Sequence, residues 1–133
     1  MKGPRFAILI AVLASTALVA VPSAGAKATA FTLSFDGVYK AGKPIAVKNF
    51  VYSNLLLTCD EGSTTYSAPK RFPKMNVNED LKFRGTLVVR GVRSKVVGKY
   101  RKDLSKVTGT LKASGDLRGL TNCSSGKAPW KAA

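Results

Sequence analysis

The sequence predicts an all-β fold: an antiparallel two-sheet β-sandwich tied by one disulfide and preceded by a signal-peptide helix. Three observations predict it. Past the first 26 residues, apolar side chains recur at every second position in short runs, the spacing of a half-buried strand. Turn residues punctuate these runs about every 8–12 positions, the pattern of a sandwich or small barrel. No stretch of the remaining chain repeats its apolar residues at helical spacing. Roughly eight to ten short strands are expected, with no internal repeat and no interdomain linker.

Residues 1–26 read as a secretory signal peptide. Lys2 and Arg5 form a positive start, an uncharged apolar run extends from Phe6 to Val21, and Pro22-Ser23 breaks it. Ala24-Gly25-Ala26 is a small-x-small cleavage site, and Ala28-Thr29-Ala30 is a second one just downstream. The alternative is a membrane anchor, but the run is about four residues short of the ~20 that span hydrocarbon. No cysteine stands at the cleavage point and no apolar tail closes the sequence, so neither a lipid anchor nor a membrane span is expected after cleavage. The expected location is secreted, extracellular or associated with the cell envelope. Residues 27–133 are expected to form a single β-sandwich domain of a size that supports a modest core.

The strands follow in order. Phe31, Leu33 and Phe35 share one face of a first strand, which Asp36-Gly37 ends or bulges and residues 38–40 continue. Residues 41–44 form a turn. Ile45 and Val47 mark a short strand, and Lys48-Asn49 interrupts it. Residues 50–59 are the most apolar run after the leader, apolar on both faces, as in a central strand. Residues 63–67 return as a hairpin partner. Residues 68–80 read as loop.

Leu81 and Phe83 face in while Lys82 and Arg84 face out, until Gly85 breaks the strand and residues 86–92 form the next. In residues 95–101, Val96, Gly98 and Tyr100 face one way and Lys95, Val97, Lys99 and Arg101 the other. Val107, Gly109 and Leu111 share a face of the following strand, and Ser114-Gly115-Asp116 reads as a turn. Residues 127–131 form a last strand that anchors Trp130 in the core. Pro129 lacks a backbone donor, which marks that strand as an edge.

The chain holds two cysteines. In an exported chain the pair Cys59 and Cys123 is expected to be bridged, closing a loop of about 65 residues. Two free or intermolecular thiols are the alternative.

Phe35-Asp-Gly, Gly42-Lys-Pro-Ile45, Cys59, Gly98-Lys-Tyr100, Gly109-Thr-Leu111 and the closing Cys123-Ser-Ser-Gly-Lys-Ala-Pro-Trp130 occur in that order. In this arrangement the chain resembles a family of small exported actinobacterial proteins of no established activity. It departs from that pattern at Lys48-Asn49, where a longer glycine-rich turn is expected, and in being unusually basic. The resemblance implies a disulfide-tied β-sandwich and an exported location, and it implies no activity.

The absence of histidine excludes Ser-His-Asp and Cys-His triads and imidazole zinc sites. No phosphate-binding glycine loop is present, and no cofactor is expected. Carboxylate hydrolysis needs two acids facing each other across a cleft. All seven acids instead stand beside turn residues, so a small secreted polysaccharide hydrolase is a weaker reading. A structural or partner-binding surface protein is another.

Charge is the one feature that points to a function. The chain carries 22 Lys and Arg against 7 Asp and Glu, a formal net charge of +15. Between Lys70 and Lys106 only Glu79, Asp80 and Asp103 oppose the cations. If residues 81–84 and 95–101 are neighbouring strands, Lys82, Arg84, Lys95, Lys99 and Arg101 share one face, and Lys102 adjoins it. Such a face attracts polyanions by Coulomb steering and counterion release. The expected partners are an anionic wall polymer, acidic polysaccharide or lipid headgroups; the alternative is a solvated basic surface with no dedicated ligand. A dedicated nucleic-acid role is not expected, because no aromatic RNA-binding motif appears.

Overall fold

Ten strands, and no helix, make up residues 31–132, the part of the chain that a computed structural model describes. The expected signal-peptide helix and both cleavage sites lie outside the described residues. The smaller sheet has the order β1-β2-β5, formed by β1 (Thr32–Lys40), β2 (Lys43–Ser53) and β5 (Met75–Asn76). The larger contains β3 (Leu55–Cys59), β4 (Gly62–Tyr66), β6 (Lys82–Val89), β7 (Val92–Tyr100), β8 (Val107–Leu117), β9 (Leu120–Ser124) and β10 (Ala128–Ala132). Its order is β4-β3-β9-β8-β7-β6, and β10 joins β8 alongside β9. All pairings are antiparallel. The two sheets share one core, as the sequence predicts.

Two breaks expected from sequence lie inside continuous strands, the first as a bulge and the second in unbroken register. Opposite Asp36, β2 carries an extra residue, so Lys48-Asn49 bends the strand instead of ending it. Asn49 adopts φ 58°, a conformation Asn tolerates better than most residues. Its side-chain amide donates to Asp36 Oδ2 at 2.9 Å. The second is Gly85, which lies within β6. A Cβ there would meet Met75 Sδ at 2.5 Å, so the missing side chain makes room for the smaller sheet's edge.

The apolar run 50–59 is two strands in different sheets, not one central strand. Phe50 and Tyr52 are buried from β2; Leu55, Leu57 and Cys59 are buried from β3. The inward parity shifts by one at Asn54, at φ 63°, whose N–H donates to Ser67 Oγ at 3.0 Å. A bend of this kind lets a strand cross between sheets at a sandwich corner. Residues 114–116 are likewise strand rather than turn; the chain reverses after Leu117.

Aromatic rings fill the space between the sheets. Trp130 lies 6.0 Å from Phe35, 6.0 Å from Phe50 and 6.4 Å from Phe83, centroid to centroid. The register explains how so many rings fit. Phe83 faces Gly98, Gly98 faces Gly109, and Gly109 faces Trp130. A Cβ at Gly98 would overlap the Phe83 ring, and one at Gly109 would overlap both the Val97 carbonyl oxygen and the Trp130 ring. Two rings therefore fold inward over two bare backbone positions, a known remedy for glycine in sheets.

Among the described residues Ser94 is the one buried polar residue, and its Oγ lies 2.6 Å from the Tyr52 hydroxyl. Burial pushes the Tyr52 pKa up from 10.0 to about 12, against the opposing effect of the Ser94 hydrogen bond. Because the folded value is raised, the associated stability is fully present below pH 10 and is lost as pH rises from 10 towards about 12. The urea midpoint is therefore expected to fall between pH 9 and pH 12, and to fall less in Tyr52→Phe.

Candidate functional site

In the larger sheet, pleating sends alternate side chains away from the core. β6 exposes Lys82, Arg84, Thr86 and Val88; β7 exposes Arg93, Lys95, Val97 and Lys99; β8 exposes Thr108 and Lys112; β10 exposes Pro129 and Lys131. The pairing aligns these into rungs across the strands. One rung is Lys82, Lys99, Thr108 and Lys131. The next is Arg84, Val97, Thr110 and Pro129, followed by Thr86, Lys95 and Lys112, and then Val88, Arg93 and Ser114.

This places Lys82, Arg84, Lys95 and Lys99 on one face, as expected from their parity. Three further cations join them: Arg93, Lys112 and Lys131. Their alternation with Val92, Ala113 and Trp130 is visible in sequence, but which strands lie beside β7 is not. Arg101 and Lys102 lie beyond the end of β7, in the turn towards β8. There the Arg101 N–H donates to the Lys106 carbonyl, and its Nε lies 3.6 Å from Asp103 Oδ2. Asp103 is held below the usual carboxylate range by the Ser105 side chain and backbone, with a smaller contribution from Arg101.

No acidic residue interrupts the face along β6, β7 or β10. On β8 the first acid is Asp116, whose Oδ1 accepts the Asn122 N–H at 2.9 Å. Two of the rungs set lysine directly against lysine: Lys82 opposite Lys99, and Lys95 opposite Lys112. Like charges placed directly opposite destabilise a sheet. Val97, 47% exposed, sits between these two pairs, and Val88 is 56% exposed at one end.

The acids serve elsewhere. Asp60 Oδ2 accepts from Asn122 Nδ2 at 2.7 Å, and Glu61 accepts the Thr121 N–H and hydroxyl, both at 2.7 Å. These donors lower the Glu61 pKa. The carboxylates thus clip the β8–β9 hairpin to the β3–β4 turn. The bridge between Cys59 and Cys123 stands beside this clip. Among the described residues, no group of three or more Asp, Glu, His or Cys is placed to hold a metal ion, and no helix is long and apolar enough to cross a membrane.

The fold and this surface define a small disulfide-tied all-β domain with one cationic sheet face. Comparison with protein-family models, curated proteins and solved structures finds no match.

Proposed function

We propose that the chain is an exported, non-catalytic β-domain that binds an anionic polymer of the cell envelope through the outer face of β6, β7, β8 and β10. The single observation that carries this reading is the presence of two directly opposed lysine pairs, Lys82 with Lys99 and Lys95 with Lys112. Their repulsion costs stability in the free protein and is relieved when anions bridge them. Export rests on the expected leader, and the Cys59–Cys123 bridge is compatible with an oxidising location.

The test is binding of the mature, oxidised protein to poly(glycerol phosphate), a wall-type polymer, across a salt series. With most of the face engaged, the log–log slope is expected at about −3 to −5, from roughly 0.7 per phosphate on a flexible strand. Lys95→Gln with Lys99→Gln is expected to flatten that slope by more than one, while its urea midpoint stays level or rises because both opposed pairs are relieved. Loss of stability with unchanged binding would refute the reading.

A further inference from the structure

Resting on that polyanion reading, we propose that the bound polymer runs along β7 rather than across the sheet, and that the face selects an extended, unbranched chain bearing one anion per repeat over a compact multivalent anion. Each two-residue step along the strands advances about 6.8 Å. Four consecutive rungs each present at least one cation: Lys82 and Lys99, then Arg84, then Lys95 and Lys112, then Arg93. The cationic track is thus about 20 Å long and is centred on β7.

Across the strands the charges are less continuous. Only the Lys82 rung carries more than two cations, and Thr108 separates its Lys99 from Lys131. The middle of β7 supports the same direction. Val97 lies beneath the track between the two lysine pairs, where the uncharged part of a repeat would rest on it. Lysine supplies both opposed pairs. An ammonium group is a point charge without the fixed fork of a guanidinium, so it accepts phosphate, sulfate or carboxylate alike. Selection then follows the spacing and length of the anions more than their chemical identity.

The probes are glycerol-phosphate oligomers of two, four, eight and sixteen repeats, with inositol hexakisphosphate as the compact anion. Affinity and salt slope are expected to rise steeply up to about four repeats, one per rung, and only gradually beyond. Inositol hexakisphosphate is expected to bind at least about tenfold more weakly than the linear oligomer of equal charge. Arg93→Ser shortens the track and is expected to reduce the slope for long oligomers by about 0.7, whereas Lys131→Ser, on a rung but at the margin of the track, is expected to reduce it by less. Both residues are exposed, and an unchanged circular dichroism spectrum confirms folding of each variant.

Equal binding of the compact anion, or a larger loss from Lys131→Ser than from Arg93→Ser, overturns the track while leaving the cationic face as a binding surface. Failure of all the probes to bind overturns both.

Discussion

Trp130→Ala is expected to destabilise the protein by about 3–5 kcal/mol, the range for deleting a buried large aromatic, and towards the upper end of it. The indole is 5% exposed and packs on Phe35, Phe50 and Phe83. The cost of such a deletion depends on how far the surroundings collapse into the space. Here the adjoining positions on the sheet are Gly109 and then Gly98, which have no side chains to move. Relaxation would have to come from the three neighbouring rings or from the backbones of β8 and β10. Trp130→Phe is expected to lose much less. It keeps a ring over Gly109 and removes the buried indole N–H, which has no hydrogen-bond partner among the described residues. Urea unfolding of the three proteins followed by circular dichroism checks the order wild type, Phe, Ala.

Removing the disulfide is the second large effect. Cys59→Ser with Cys123→Ser is expected to lower stability by about 4 kcal/mol, the chain-entropy value for a loop of this size, given a separation of 64 residues. The loss should not fall evenly over the fold. β3 and β9 share only the Thr58–Ser124 register pair, supplemented by the Asp60 N–H to the Thr121 carbonyl and the carboxylate clip. Without the bridge, β3 and β4 are held to the rest of the larger sheet mainly by exposed hydrogen bonds. Amide exchange is therefore expected to accelerate first in β3 and β4, while β7 and β8, paired over nine residues from Val92 to Tyr100, keep their protection. A urea midpoint equal to that of the oxidised wild type would show that the clip alone is sufficient.

Much of this architecture is legible in the sequence because period two is a strong signal where one face is buried. Phe31, Leu33 and Phe35, and likewise Val96 and Tyr100, announce both their strands and their inward side. The Cys59–Cys123 pairing follows from there being two cysteines. What escapes sequence reading depends on long-range partners. Gly85 reads as a break because Met75, which occupies the space above it, is ten residues away in a segment that looks like loop. Gly115 reads as a turn, yet its missing side chain admits the Gly91 carbonyl of the β6–β7 turn against β8.

The change of sheet at Asn54 is written in the chain as a slip in parity between Tyr52 and Leu55. It is hard to see because apolar residues stand on both sides of it. The cationic face shows the same division. The outward parity of Lys82, Arg84, Lys95 and Lys99 is local information. The addition of Lys112 and Lys131 requires knowing that β8 and β10 lie beside β7.

The place of Trp130 in the chain also bears on the order of folding. Every ring it meets comes earlier in the sequence, the first at Phe35 near the start of the described residues. During synthesis β1, β2 and β6 emerge with their aromatic faces uncovered, and the residue that fills the centre between the sheets emerges after all of them. The consecutive pairs β1–β2, β3–β4, β6–β7 and β7–β8 are local in sequence, but the step that closes the core joins segments distant in sequence. Until β10 is in place, the space between the sheets lacks the ring that Phe35, Phe50 and Phe83 pack against.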